Sequence, residues 1–373
     1  MVVGIHRKTY AKIDLNAIKH NIKVEKAQMT NEQNLFAVVK ANAYGHGIVE
    51  VAKAAHEVGV DGYCVAIIDE ALALRNAGLN ELILVLGVNS FEYASLMAKN
   101  NISTAVGDID FLKKAQVLLC EQKQRLSVHL ALDTGMGRIG FRTQEALCEA
   151  VDFMKQHTSE FNFEGIFTHF STADSGKKEA VDYYEQQING FNELLSSIEK
   201  LPKYVHVANS AASIWHKECG GNTIRFGITM YGLNPSGGEL DIPTGFRPAL
   251  SLLSEVVAIK KIQKGNSVGY GKTYTAKEDE WIATVPIGYA DGWLRSMQGF
   301  KILIADNFCE IVGRVCMDQI MVRVPSKVLI GTTVTLIGRQ EQKEIKAQDV
   351  ADQAGTIHYE VICSISERVP RIY

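Results

Sequence analysis

Lys40 stands directly behind the apolar run Leu35-Phe36-Ala37-Val38-Val39 and ahead of Ala41-Asn42-Ala43-Tyr44-Gly45-His46-Gly47. A lysine is ordinarily a solvated surface group. At the carboxyl end of a buried barrel strand it would face the mouth where such folds place their chemistry. Partly desolvated there, its amine loses proton affinity and becomes a nucleophile. Further polar residues follow later apolar runs in the same way. Arg138 closes Asp133-Thr134-Gly135-Met136-Gly137-Arg138, His169 follows Phe167-Thr168, Asn209 and Ser210 come shortly after His206, and Arg225 opens Arg225-Phe226-Gly227-Ile228. Singly, an arginine is as readily a salt-bridge partner, and His169 or His206 a satisfied core histidine. Together, at one end of a barrel, they outline a site, and the last two segments correspond to the recurrent phosphate loops of such folds. The chemistry implied is a phosphate-bearing ligand beside a reactive lysine.

The elements that must carry these residues are eight apolar runs: Leu35 to Val39, Gly62 to Ala66, Leu82 to Leu86, Ser103 to Val106, Ser127 to Leu132, Phe163 to Phe167, Tyr204 to Ala208 and Thr223 to Phe226. Helix-length segments separate most of them, for example Ile48 to Val58 and Asp69 to Ala77. Such alternation demands parallel strands with crossover helices. Eight units in about 200 residues predict a (β/α)8 barrel, with an open doubly wound sheet as the alternative. After Asn234-Pro235-Ser236-Gly237-Gly238 the character changes to β-branched runs and turn signals, with one clear helix at Ala347 to Ala354. The fold class expected is therefore a (β/α)8 barrel over residues 1–240, followed by a mainly β domain over 241–373. The strand near 9–14 is a candidate to pack with the β domain.

Composition narrows the function. Of 373 residues, 46% are hydrophobic and 22% charged, and 39 Lys and Arg against 42 Asp and Glu leave a net charge of -3. That balance speaks against a nucleic-acid binder driven by bulk positive charge. No apolar run reaches the length of a membrane span, and Met1 to Leu15 does not read as a signal peptide. The seven cysteines show no metal or redox spacing and the ten histidines no metal-ligand cluster. The expectation is a cytoplasmic protein with reduced thiols and no catalytic metal.

The segment Val38-Val39-Lys40-Ala41-Asn42-Ala43-Tyr44-Gly45-His46-Gly47 resembles the cofactor-attachment segment of the alanine racemases. Further blocks follow in family order: Asp133 to Arg138, His206 to Ser210, Arg225 to Ile228, Gly269-Tyr270-Gly271, Gly288-Tyr289-Ala290-Asp291-Gly292, Cys316-Met317-Asp318, Tyr359-Glu360 and Arg368-Val369-Pro370-Arg371. The resemblance implies an enzyme that interconverts L- and D-alanine with pyridoxal 5'-phosphate, supplying D-alanine for peptidoglycan. It makes Lys40 the cofactor lysine and one of two bases, and Tyr270 the base on the opposite face of the substrate. It sets Arg225 against the pyridine nitrogen, with His169 in the same polar network. It assigns the phosphate to Tyr44, Ser210, Tyr359 and the main-chain N–H groups of Gly227 and Ile228. Arg138 and the N–H of Met317 would take the substrate carboxylate, and Tyr289 would gate the pocket. It also implies a homodimer in which each subunit lends Tyr270 to the other's site.

One position departs from the family pattern. Many relatives carry a carbamylated lysine where this chain has Ala131, which cannot form a carbamate. A bound anion, most simply chloride, or a water near Ala131 and Arg138 is the expected replacement. Related possibilities are a serine racemase, a basic amino-acid decarboxylase and a pyridoxal-phosphate carrier; the last would lack the β domain that contains Tyr270 and Met317.

Overall fold

The computed structural model describes residues 2–217 and 219–373. After β1 (Tyr10–Ile13), the eight runs become β2 (Asn34–Val38), β3 (Gly62–Val65), β4 (Leu82–Val85), β5 (Ile102–Val106), β6 (Leu126–Ala131), β7 (Phe161–Phe167), β8 (Tyr204–His206) and β9 (Thr223–Phe226). Each pairs in parallel with the next, and β2 pairs with β9, so the sheet closes on itself as a barrel. The open-sheet alternative is thereby excluded. Closure is possible because these strands are buried on both faces, which is why they read as unbroken apolar runs. Crossover helices begin where polar side chains take over main-chain donors: Asp108 accepts from Phe111 N at 2.8 Å and Asn209 from Ala212 N at 2.9 Å.

The barrel interior is filled by rings rather than by branched aliphatics alone. Phe36 packs edge-on against Tyr204 with centroids 5.1 Å apart, and His206 stacks on Phe167 at 4.8 Å. Arg225 lies opposite Phe36 in the closing pair, its guanidinium 5.5 Å above the Phe167 ring.

The chain divides into two compact units: Asn16–Ala43 with Ile48–Pro248, and the residues up to Leu15 with Tyr44–Gly47 and Ala249–Tyr373. Residues 241–248, assigned to the second domain from sequence, group with the barrel. Asn21 holds them there, accepting from Arg247 N and donating to Arg247 O, both at 2.8 Å.

The second unit contains β10 (Leu250–Glu255), β11 (Ala258–Ile262), β12 (Ser267–Val268), β13 (Tyr274–Thr275), β14 (Glu280–Val285), β15 (Lys301–Ile304), β16 (Asn307–Ile311), β17 (Ile320–Val324), β18 (Thr333–Gln340), β19 (Lys343–Ile345) and β20 (Arg371–Ile372). One sheet runs β11-β14-β17-β16-β15-β18-β10-β1-β20, with β19 beside β18. β1 pairs antiparallel with β10, Tyr10 opposite Leu253. Two expectations need correction. The β-branched stretch Leu253 to Ile259, which reads as a single run in the sequence, is two strands, because Val256 N bonds Thr332 O and Val257 N bonds Thr284 O, turning the chain between neighbours. A short helix, His358–Ser364, also escapes the sequence reading, since seven residues with Val and Ile carry little helical signal.

Candidate active site

β2 is pinned at its carboxyl end, where Tyr231 donates to Val38 O and Val39 N to Cys64 O, both at 2.9 Å. Lys40 follows at once. The chain then makes a left-handed turn: Ala41, Asn42, Ala43 and Tyr44 have φ of 52, 53, 53 and 52. A β-carbon in this region is crowded by the following carbonyl, at about 1–2 kcal/mol per residue. The sharp turn thus begins ahead of the glycines Gly45 and Gly47. Asn42 locks it, its side chain accepting from Ile48 N at 2.8 Å and its N–H donating to Glu70 Oε1 at 3.3 Å. Strain of this kind persists only where neighbours over-determine the backbone, and it concentrates at functional sites.

Arg225, only 4% exposed, is the electrostatic centre of the barrel unit. It donates to His206 Nδ1 (2.9 Å), His206 O (2.7 Å), Thr168 O (2.9 Å), His169 Nδ1 (3.2 Å) and Val207 O (3.4 Å). Burial lowers its pKa to about 10, and Arg138 adds to the fall. His169 is held well below the ordinary histidine value, by burial first and then by Arg225, Arg138 and Lys40. Burial pushes the Cys64 thiol up to about 12 against the pull of Arg225 and Lys40. Lys40, Arg138, His169 and Arg225 therefore share one electrostatic environment. In it the imidazole stays neutral and accepts at Nδ1.

Ser210 opens the helix Ser210–Trp215, and its Oγ accepts from Gly227 N at 2.8 Å. Its own hydrogen remains available to donate, next to the Gly227-Ile228 backbone. Asp133 shapes the loop that carries the exposed Arg138, accepting from Gly135 N at 3.2 Å and Gly137 N at 2.8 Å. Ala131 lies in an apolar cluster with Ala105 and Phe167, against Leu86 and Ile139.

In the second unit, the rings of Tyr44 and Tyr359 lie 6.2 Å apart, and Tyr359 stacks on His358. Arg371 fixes the segment after Tyr44 by donating to Gly45 O at 2.8 Å while binding Ile365 O, Ser366 O and Val369 O. Tyr270 is 71% exposed in a tight turn between β12 and β13. Gly269 (φ 77) and Gly271 (φ 71) supply conformations that a side chain would oppose, so the turn projects the phenol from a firm base. Met317, half exposed, lies near Tyr289 in the chain fold, since Tyr289 N bonds Cys316 O and Ala290 N bonds Met317 O.

Two groups that the sequence did not single out support these residues. Asp291, fully buried, pairs with Arg7 through both oxygens, with Arg368 at 3.5 Å and with Gly288 N at 3.0 Å; it braces the loop of Tyr289. In the barrel, His129, Glu164 and Ser103 form a buried polar cluster joined to His206. The available signal was a glutamate inside the strand Phe161-Asn162-Phe163-Glu164-Gly165-Ile166-Phe167.

A closed barrel with a lysine, a buried arginine and a serine at the carboxyl ends of its strands, followed by a β unit, defines an enzyme of the (β/α)8 class. The family model described as alanine racemase, N-terminal domain, matches residues 13–235, and that of the C-terminal domain matches residues 249–373. The alanine racemase of Ligilactobacillus salivarius is 60% identical over the full length of both chains. The solved alanine racemase from E. faecalis is 48% identical with a TM-score of 0.96, covering 100% of each chain. A structure named histidine racemase, from Leuconostoc mesenteroides, is 36% identical with a TM-score of 0.92 over 99% of each chain. The chain belongs to the alanine racemase family, whose members depend on pyridoxal phosphate.

Proposed function

We propose that this protein racemises alanine, with pyridoxal 5'-phosphate held on Lys40, and supplies D-alanine for peptidoglycan in the bacterial cytoplasm. The residues present suit that cofactor. The barrel cluster is rich in donors, with Lys40, Arg225 and the Ser210 hydroxyl, as an anionic phosphate on a basic ring requires. When bound, the cofactor supplies an electron sink that acidifies the hydrogen on the substrate's Cα. Everything else falls to the chain. Tyr44, Ser210, Tyr359 and the N–H groups of Gly227 and Ile228 bind the phosphate. Arg225 donates to the ring nitrogen, and because a guanidinium has no acceptor it leaves that nitrogen unprotonated. Arg138 and the Met317 N–H orient the substrate carboxylate.

Racemisation removes a proton from one face of Cα and returns one to the other, so two bases are needed. The Lys40 amine serves one face and the Tyr270 oxygen the other, with Tyr270 supplied by the partner of a homodimer. The exposure of Tyr270 on a rigid turn supports that exchange, because a large aromatic held open to solvent is suited to completing a neighbour's site. An anion opposite Arg138 replaces the carbamate of relatives; it sits against the guanidinium, since Ala131 is lined by hydrocarbon.

The observation that carries the reading is Arg225: a buried cation whose five acceptors among the described residues are all uncharged, in the environment of Lys40. Chiral chromatography after incubation with L-alanine, L-serine and L-histidine tests it. D-alanine as the dominant product is expected. D-histidine or D-serine formed faster than D-alanine would reassign the substrate, and no D-product from any would refute racemisation.

A further inference from the structure

The cluster behind Arg225 has a direction. His206 Nε2 lies 2.8 Å from His129 Nδ1, and His129 Nε2 lies 3.1 Å from Glu164 Oε2, which also accepts from Ser103 Oγ at 2.5 Å. Both imidazoles are fully buried, and burial lowers their proton affinity, so each carries a single hydrogen. Burial alone would raise the Glu164 carboxyl, but bonds from His129, Ser103 and Ser127 bring it below the usual carboxylate range. Glu164 is therefore ionised and can only accept.

The proton positions follow in order. Glu164 requires the His129 hydrogen on Nε2, which leaves Nδ1 bare to accept from His206 Nε2–H. That in turn leaves His206 Nδ1 bare to accept from Arg225. Arginine only donates, so the demands from both ends agree and every hydrogen bond points toward Glu164. The reverse polarity would set a His206 N–H against an Arg225 N–H, with nothing between them to accept. The strands are shaped for this arrangement. A β-carbon on Gly165 would lie 2.2 Å from His129 Nδ1, and the β6–β7 pairing slips by one residue between Val128 and His129 to admit the ring. The His129 ring then lies nearly parallel to Tyr204, centroids 6.0 Å apart.

We infer that Glu164 is a positioning residue for Arg225. Acting through His129 and His206, it fixes which nitrogens carry hydrogen, and so holds the guanidinium in one orientation, with the NH1 and NH2 hydrogens committed and Nε–H left uncommitted among the described residues. It also supplies a negative charge to this bond chain, two imidazoles away from a buried cation that has no carboxylate among its direct acceptors in the described residues. This inference deepens the reading of Arg225 as the partner of the cofactor ring and rests on it.

The test uses the full-length protein reconstituted with pyridoxal phosphate and labelled with [15N]histidine. In the wild type, long-range 15N–1H spectra are expected to show His129 and His206 as Nε2–H tautomers. His206 protonated on Nδ1 would overturn the inference without any variant. Glu164→Leu is expected to shift both rings toward mixed tautomers, weaken pyridoxal-phosphate binding about tenfold, equivalent to about 1.4 kcal/mol, and lower kcat with KM little changed. Glu164→Gln, which keeps an acceptor oxygen, is expected to preserve the tautomers and restore most of the affinity. A folded Glu164→Leu protein with wild-type tautomers and affinity would refute the positioning role. The tautomers are read independently of catalysis. If the wild type shows them and lacks racemase activity, the fault lies with the proposed function and not with the relay.

Discussion

Arg225 and His206 meet twice: the same NH1 group donates to the His206 ring at 2.9 Å and to the His206 carbonyl at 2.7 Å. The arginine is thereby gripped by both the side chain and the backbone of the neighbouring strand. Lysine has one charged nitrogen and no planar fork, so it cannot meet acceptors distributed in this way. Arg225→Lys is expected to lose about 1.5–3 kcal/mol of folding stability, the scale of a lost hydrogen bond from a charged group. Urea denaturation checks this; a loss under about 0.5 kcal/mol, typical of a surface change, would contradict it.

The left-handed turn after Lys40 admits a test free of packing effects at Ala41, which is exposed. A β-branched side chain is a severe outlier at positive φ, so Ala41→Val is expected to destabilise by about 1–2 kcal/mol and to weaken cofactor retention. Ala41→Gly removes the crowded β-carbon and is expected to be neutral or slightly stabilising. Equal effects from valine and glycine would show that backbone strain is not what matters there.

Asp291 joins two arginines in the β unit. Asp291→Asn leaves Arg7 and Arg368 facing a neutral amide and a buried site without its charge. The expected loss is about 3–5 kcal/mol, seen as a lower denaturation midpoint, with raised KM because the Tyr289 loop slackens. An unchanged midpoint would show that the pair is not a brace.

The buried histidines give stability a direction with pH. Burial holds His169 and His206 well below the ordinary value, lowers His129, and brings His358 to about 4. The unfolded chain takes up protons at these rings below about pH 6.5, while the folded chain does not until pH falls to the depressed values. Stability is therefore fullest above about pH 6.5 and is lost as pH falls, by up to about 1.4 kcal/mol per pH unit for each histidine. Denaturation midpoints at pH 7.5 and 5 measure it; a midpoint equal or higher at pH 5 would contradict it.

The eight barrel strands were legible because a strand buried on both faces reads as an apolar run, and helix-length segments separated most of them. Lys40, Arg138, Ser210 and Arg225 stood out as candidates by position: Lys40 directly follows such a run, Arg225 lies near the end of one, and Ser210 and Arg138 come within a few residues of one. Tyr270 was not: a tyrosine between two glycines has no local chemistry, and only the resemblance marked it. The left-handed turn left no trace because alanine carries no preference for positive φ. The link from Arg225 to Glu164 depends on a one-residue slip between β6 and β7, a pairing of distant segments that no local pattern encodes.

The central claim is proton exchange at Cα between Lys40 and Tyr270, and incubation with L-alanine and pyridoxal phosphate in heavy water tests it most directly. D-alanine carrying solvent deuterium at Cα is expected from the wild type, with both racemisation and exchange falling by at least about 100-fold in Tyr270→Phe, the scale of a lost general base. D-alanine without deuterium, or an undiminished rate in Tyr270→Phe, would contradict it.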